Sequence, residues 1–214
     1  MLQTVLDHLV ITAPSRDVGA AWLSRLLGVP LEPGGEHPAM GTHNALLRLG
    51  TGRYLEVLAP NPNAPAPERP RWFGLDEISS SESPRLAAWV ARTNDIEAAA
   101  SRSSIPLGPI ERSSRGSLRW RITIPTDGST PENGVAPILI QWETDAHPAA
   151  ALPDRGCSLT RLEGYHPEPE RIQELLARLS FAGDFTVSAR QHPGLAGHIQ
   201  MPTGVRCIET FHLS

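Results

Sequence analysis

An imidazole and a carboxylate, two groups that can do chemistry, fall on short apolar strands of the first sixty residues. In the run 6–12, Leu9 and Ile11 are predicted to face a layer of helices, so His8 points to the opposite, concave face of the sheet. The same alternation in a later strand puts Glu56 on that face. Such donors suit Zn, Fe, Mn, Ni or Co, and they also suit an acid and base pair. A shared ion would hold the two side chains within about 5 Å of each other.

Arginine side chains are the second feature with chemical consequences. Alternation turns Arg48 and Arg121 towards the concavity, because their apolar neighbours are assigned to the helix side. In the strand of Arg121 these neighbours are Leu118, Trp120, Ile122 and Ile124. A buried guanidinium needs an anionic partner. Either internal carboxylates such as Glu56 and Glu143 supply it, or a carboxylate- or phosphate-bearing small molecule binds there as substrate.

Three further side chains are candidate substrate contacts. Asn44 is predicted to point inward from the apolar run 44–49, and Gln141 has the place in a later strand that Glu56 has in the first module. The amide oxygen of Gln141 is also a third candidate metal ligand, although it is weaker than a carboxylate. Trp72 lies in a loop bounded by Pro and Gly, where an aromatic ring either plugs the edge of a core or lines a ligand pocket.

The composition excludes several classes of function. All 19 basic residues are arginine, so Schiff-base chemistry and lysine nucleophiles are excluded, and two cysteines form no thiolate-rich zinc site. A net charge of −4 predicts no nucleic-acid partner. No apolar run has the length of a membrane span, and no secretory leader opens the chain, which predicts a cytoplasmic protein without a membrane partner. The arginine-rich, lysine-free composition is typical of a GC-rich bacterial genome.

The elements that must position these residues repeat along the chain. Residues 1–60 have the pattern of a strand, a helix and three strands, and the Pro-rich connector 61–85 leads to a second such pattern over 86–146. A third pattern runs over 158–214. The sequence therefore predicts an α+β protein of three βαβββ modules, with the first two joined in one domain over 1–146.

Corresponding residues in the first and third modules are separated by a constant 153 positions, as in 209 − 56. The pairs are Pro14 and Pro167, Trp22 and Leu175, and Glu56 and Glu209. This spacing predicts that the two modules superpose, with Glu56 and Glu209 on equivalent strand positions. An odd module leaves an open sheet edge, so the third module is expected to pack alongside the first two or to pair across a homodimer.

Four segments carry a resemblance to a known family. They are LDHLVITAP, GTHNALLRLG and RYLEVLAP in the first module, and RPRWFGLDE in the connector. Through them, residues 1–146 resemble a glyoxalase-like domain branch of the vicinal oxygen chelate superfamily of glyoxalase I, bleomycin-resistance proteins and extradiol dioxygenases. The resemblance implies that paired βαβββ modules curl into an open barrel, whose concave cup holds a divalent metal. His8 and Glu56 match the ligand positions of its first module.

The other modules depart from that ligand pattern. The segment LAAWVAR puts Ala87 or Ala88 where a second imidazole is expected, and the third module has Arg161 at the position of His8. Arg161 and Glu209 are expected to neutralise each other. Half of a metal site is thus provided, and the alternative role of His8 is a hydrogen-bonded histidine of the cavity.

The function that the resemblance implies is a glyoxalase-like small-molecule enzyme of lyase, isomerase or dioxygenase type, with or without a divalent metal. Its substrate is expected to be an anion held in the cup. One alternative is a metal-free protein that sequesters a small molecule, as bleomycin-resistance proteins do, and another is a catalytically silent scaffold. The fold does not choose among them, because it hosts several chemistries.

Overall fold

The computed structural model describes residues 1–210, so residues 211–214 of the predicted third module lie outside the described residues. The first module consists of β1 (Thr4–Thr12), α1 (Arg16–Leu27), β2 (Glu32–His37), β3 (Thr42–Arg48) and β4 (Tyr54–Pro60). Helix α1 begins where the Ser15 side chain accepts a hydrogen bond from the Val18 amide. It ends at Gly28, whose φ of 70° is left-handed and therefore favours glycine.

The remaining elements follow the same order of strands and helices. The second module consists of β5 (Arg85–Thr93), α2 (Ile96–Arg102), β6 (Ile110–Arg115), β7 (Leu118–Thr123) and β8 (Ile138–Trp142). A short helix, α3 (Pro148–Ala151), lies in the segment that follows. The last elements are β9 (Ser158–His166), α4 (Pro169–Arg178), β10 (Phe185–Ala189), β11 (Gly194–Met201) and β12 (Gly204–Glu209).

The first two modules share one eight-stranded sheet, in the order β2-β3-β4-β1-β5-β8-β7-β6. β1 and β5 pair antiparallel at its centre, and each pairs in parallel with the last strand of its own module. The sheet curls until its two edge strands meet. They are so close that a Cβ atom added at Gly35 of β2 would lie 2.3 Å from Cδ of Arg115 on β6. The predicted α+β fold with an open barrel is confirmed.

The third sheet corrects the prediction that the first and third modules superpose. Its strand order is β10-β9-β11-β12, so its first strand lies between the second and third strands of its own module. In the first module, the first strand instead pairs with the last strand, which carries Glu56. Glu209 lies on an edge strand that pairs antiparallel with β11. The equal spacing accompanies an equal order of elements, whereas the pairing depends on which neighbours each first strand has.

The expected pairing of Arg161 with Glu209 is also wrong. Arg161 forms its ion pair with Glu163, two residues along the same strand, at 2.6 Å. Glu163 also lies 2.7 Å from Nε2 of His198 on the neighbouring strand. The three side chains therefore form a partly exposed charged group on the third sheet.

Two apolar cores lie on opposite faces of the eight-stranded sheet. Outside the barrel, Leu9 and Trp89 pack with α1, α2 and the inner face of the third sheet. Gly197 of β11 lets the two sheets approach, because a Cβ atom there would lie 3.1 Å from Leu9 Cδ1. Inside the barrel, Val10 and Val90 pack with aromatic and aliphatic side chains of the connector and of β7 and β8. No helix among residues 1–210 is long and apolar enough to cross a membrane.

We expect Trp89→Ala to detach the third module from the barrel. The Trp89 side chain is fully buried, lies against the rings of Phe181 and Phe185, and donates a hydrogen bond to the Val135 carbonyl at 2.9 Å. Urea unfolding should show a loss of about 3–5 kcal/mol, which is typical when a large buried aromatic side chain is truncated. Val18→Ala on the exposed face of α1 is the control and should change stability by less than about 0.5 kcal/mol. A loss near zero for Trp89→Ala would contradict this packing.

Candidate functional site

The inside of the barrel encloses a small cup between the two modules. The free volume of its interior is about 30 Å³, enough for one or two water molecules, and its mouth is open, so a larger molecule would extend through the mouth. The residues that line it are His8, His37, Tyr54, Glu56, Trp72, Phe73, Arg115, Trp120, Ile122, Ile140 and Trp142. Imidazole and carboxylate groups come from the first module, while the second module supplies mainly aromatic and aliphatic walls.

His8 lies on β1 at an irregularity of the sheet. The pairing of β1 with β5 shifts between Leu6 and His8, which leaves the intervening Asp7 without a partner on β5. The Asp7 carboxylate lies beside the ring of His8, with Oδ1 at 2.7 Å from Nδ1. The ring of Tyr54 stacks on the ring of His8 at 4.3 Å. The orientation of the His8 ring is therefore set by a carboxylate at its edge and an aromatic ring at its face.

Glu56 reaches the cup from β4 and is held by a chain of hydrogen bonds. The Asn44 side-chain amide donates to Glu56 Oε1 at 2.5 Å, and the Gly35 amide donates to Asn44 Oδ1 at 2.7 Å. The second oxygen, Oε2, lies 3.6 Å from His8 Nε2. The predicted proximity of His8 and Glu56 thus holds. Asn44 acts on Glu56 and does not line the cup.

The histidine therefore lies between two carboxylates. Burial by itself raises the pKa of Asp7, but hydrogen bonds from His147 and His8 outweigh burial and hold that pKa well below its usual range. An ionised Asp7 accepts a hydrogen bond from His8 Nδ1, so in the neutral ring the lone pair is on Nε2, which faces Glu56. This arrangement can remove a proton from a bound molecule and return it.

A second histidine, His37, lies at the end of β2 with its ring in the cup. Nδ1 lies 3.1 Å from the Thr42 hydroxyl, which also accepts a hydrogen bond from the Trp72 indole. Trp72 lines the cup and also belongs to its apolar core, and its ring meets His37 edge to face at 5.1 Å. The next residue, Phe73, has a φ of 58°, an unusual conformation for an aromatic residue, and closes the cup beside Trp72.

The predicted facing of the second module is wrong. Trp120 and Ile122 line the cup, whereas Arg121 points outward and pairs with Glu97 and Glu143. Gln141 also points outward, where it accepts hydrogen bonds from Arg121 and from the first amide of α2. Two physical causes explain the reversal. The cup itself is apolar on this side, and the seven-residue helix α2 leaves the outer face of β7 exposed enough for charges.

The cation that does reach the cup is Arg115 and neither of the two predicted arginines. Arg48 lies outside the cup lining and donates to the Gly50 carbonyl at 3.3 Å. Arg115, at the end of β6, lines the cup beside Gly35 and forms no ion pair with an acidic side chain of residues 1–210. It is therefore available for an anion. The pairings of Arg121 contradict the prediction that this residue binds the substrate.

The donor set of the cup is small for a divalent metal. His8 Nε2 and Glu56 Oε2 are close enough to share an ion, but Gln141 lies outside the cup and supplies no ligand. Residues 1–210 contain no group of three or more His, Cys, Asp or Glu side chains that could hold one. The place opposite His8 is filled by apolar side chains that include Ala88 and Val90. Two ligands do not fit a catalytic zinc centre, which uses three.

Several residues of the site escaped sequence reasoning. Strand alternation puts Asp7 on the face opposite His8, and only the bulge brings the two together. Arg115 lies at a strand end, where alternation has no periodic pattern to follow. His147 contacts Asp7 from the segment after the second module, 140 positions away. The usable signal was the adjacency of Asp7 and His8, because a carboxylate next to a histidine often orients it.

A family model and one solved structure agree with this architecture. The family model described as "Glyoxalase-like domain" matches residues 6–180. A hypothetical protein from Staphylococcus aureus has the same fold, with a TM-score of 0.60 at 15% identity over 89% of this chain and 87% of that chain. Methylmalonyl-CoA epimerase from Mycobacterium tuberculosis aligns with a TM-score of 0.42 at 20% identity over 68% and 91% of the two chains. No curated protein matches the chain.

We expect His37 to make the stability of the protein depend on pH. Burial lowers the pKa of His37 from 6.5 to about 4, so the unfolded chain binds a proton in this window that the folded chain does not. Stability therefore falls as the pH is lowered from 6.5 towards 4. Between pH 7.5 and 5, urea unfolding should show that the wild type loses about 2 kcal/mol more than His37→Gln. Equal losses in the two proteins would contradict a buried neutral His37.

Proposed function

Because the chain belongs to the glyoxalase-like domain family, we propose that it is an enzyme that transfers a proton on a small anionic molecule in the cup. The observation that carries the proposal is the placement of His8. Its Nδ1 is held by Asp7 at 2.7 Å, and its Nε2 faces Glu56 at 3.6 Å. In this proposal His8 Nε2 is the general base, and Glu56, whose Oε2 lies beside it, is the second acid–base group.

Proton abstraction beside a carbonyl needs a group that stabilises the negative charge formed on oxygen. Burial and the nearby Asp7 carboxylate raise the pKa of Tyr54 well above its usual value, so its phenol stays protonated and able to donate. Arg115 contributes a positive charge from the opposite edge of the barrel. These groups support an isomerase or lyase reaction. The dioxygenase form needs a redox metal, for which the two donors of the cup, His8 and Glu56, are too few.

The anionic nature of the substrate rests on Arg115. It is half-buried, lines the cup and has no carboxylate partner among residues 1–210. A guanidinium in such a place gains more from a carboxylate or phosphate than an exposed arginine does. The substrate is therefore a short molecule with one anionic group towards Arg115 and its reacting carbon towards His8.

A binding protein without catalysis is the second candidate. The cup has aromatic walls from Trp72, Phe73, Trp120 and Trp142, and such rings also hold ligands without reacting with them. The two candidates differ in one respect. The enzyme must exchange a proton of the bound molecule with solvent, whereas the binding protein need not.

Deuterium exchange would test the proposed chemistry. The full chain is incubated in D₂O with short 2-oxo- and 2-hydroxycarboxylates and phosphorylated aldehydes, and carbon-bound hydrogen is followed by proton NMR. We expect exchange with at least one compound, and His8→Gln should slow it by about 10²–10⁴-fold because the general base is lost. His192→Gln, on an exposed histidine, is the matched control and should leave the rate unchanged. Binding of a compound without exchange would favour the binding protein.

Replacing Arg115 would test the anion contact. For a compound bound by the wild type, Arg115→Gln should weaken binding by more than about 1 kcal/mol, measured by calorimetry, because a desolvated charge-assisted hydrogen bond is lost. Arg206→Gln, on an exposed arginine of β12, is the control and should have no effect. An unchanged affinity for Arg115→Gln would contradict an anionic group at this position.

Elemental analysis decides whether a metal takes part. With two protein ligands, we expect well under one equivalent of Zn, Fe, Mn, Ni or Co in the purified protein. One equivalent in the wild type that is lost in His8→Ala would instead establish a metal-dependent enzyme. The bacterial origin, the homodimer and the cytoplasmic location expected from the sequence remain proposals, and light scattering of the purified chain tests the homodimer.

A further inference from the structure

The segment after the second module brings a histidine to the buried end of the cup. His147 immediately precedes α3, which is held against the barrel because Ala149 and Leu152 pack on Leu46 and Tyr54. The His147 side chain is 13% exposed, and its ring meets that of Tyr54 at 5.7 Å. His147 does not line the cup, so the acid–base chemistry proposed above gives it no role.

The proton of the His147 ring is located by its contacts. The Ala149 amide donates to Nδ1 at 3.3 Å, so Nδ1 carries the lone pair of the neutral ring. The proton is therefore on Nε2, which lies 3.0 Å from Asp7 Oδ2 and donates to it. A histidine that caps a helix with one nitrogen thus presents a fixed donor with the other.

The two oxygens of Asp7 have different partners. Oδ2 accepts from His147, from the Trp142 indole at 3.1 Å and from Arg92 at 3.4 Å. These donors come from three separate elements of the chain. Among residues 1–210, Oδ1 has a single hydrogen-bond partner, His8 Nδ1. The plane of the carboxylate is therefore fixed by groups on one oxygen, while the other oxygen acts on the histidine of the cup.

We propose that His147 is a positioning residue: by holding Asp7 Oδ2, it keeps Asp7 Oδ1 on His8 Nδ1 and so keeps His8 in the tautomer whose Nε2 lone pair faces the cup. The importance of that tautomer for catalysis rests on the proposed function, but the tautomer itself does not. The segment between the second and third modules is then part of the site. A purely structural His147 would support α3 and have no effect on the His8 ring.

The test reads the tautomer of each histidine by ¹H–¹⁵N correlation spectra of the full chain labelled at histidine nitrogens. We expect His8 in the Nδ1–H form in the wild type. In His147→Ala the ratio of Nδ1–H to Nε2–H forms at His8 should fall about tenfold, since the loss of a hydrogen bond of this kind is worth about one pKa unit. His147→Gln, which keeps an amide donor, should restore the ratio. His192→Ala is the matched control for loss of an exposed histidine.

Two outcomes would overturn the proposal. One is a His8 tautomer ratio that is the same in wild type and His147→Ala. The other is a wild-type spectrum that shows the His147 ring in the Nδ1–H form, because that form cannot donate to Asp7 from Nε2. This second outcome needs no variant, so it applies even if His147→Ala does not fold. Absence of deuterium exchange in the wild type, with a His8 ring that does respond to His147, would reject the proposed enzyme and leave the positioning role intact.

Discussion

The buried carboxylate of Asp7 is the constraint on which the rest of the site depends. An ionised group that is fully removed from water is costly unless hydrogen-bond donors surround it. Here the donors are His8, Arg92, Trp142 and His147, which come from β1, β5, β8 and the segment before α3. His8 is the chain neighbour of Asp7, whereas the pairs with Arg92, Trp142 and His147 require both modules and the following segment to assemble. The same hydrogen bonds to Asp7 therefore stabilise the fold and fix the geometry of the site. They also set the orientation of the His8 ring.

The two modules form a symmetric sheet but contribute unequally to its cup. The first module supplies the imidazole of His8, the carboxylate of Glu56 and the amide that holds it. The second module supplies Trp120, Ile122 and other apolar walls together with Arg115, while its Arg121 and Gln141 face outward. Apolar walls strengthen the electrostatic interaction between a histidine and the two carboxylates beside it, because such interactions are stronger where water is excluded. The asymmetry therefore favours acid–base chemistry by a few residues over a centre shared equally by both modules.

The third module shows that an equal order of elements does not determine an equal sheet. In the first two modules β1 and β5 pair with each other, so each has one remaining side for the last strand of its own module. β9 has no such partner and takes β10 and β11 on its two sides. The resulting small sheet covers the outside of the barrel at Trp89, and Gly197 of β11 allows its close approach. The segment that connects this sheet to the barrel contains His147, which contacts Asp7 beside the cup.

The sequence by itself determined the α+β modules and the inward facing of His8 and Glu56. These follow from alternation on strands whose opposite face is strongly apolar, a pattern that chain neighbours alone establish. Tertiary structure decided the rest. In the second module both faces are partly apolar, so alternation could not tell the cup from the outside, and Arg121 and Gln141 were assigned to the wrong side. The environment of His8 was also beyond sequence reasoning, because a bulge moves Asp7 across the strand and contacts over 140 positions bring His147 to it. Such contacts depend on how the elements pack, and no local pattern encodes them.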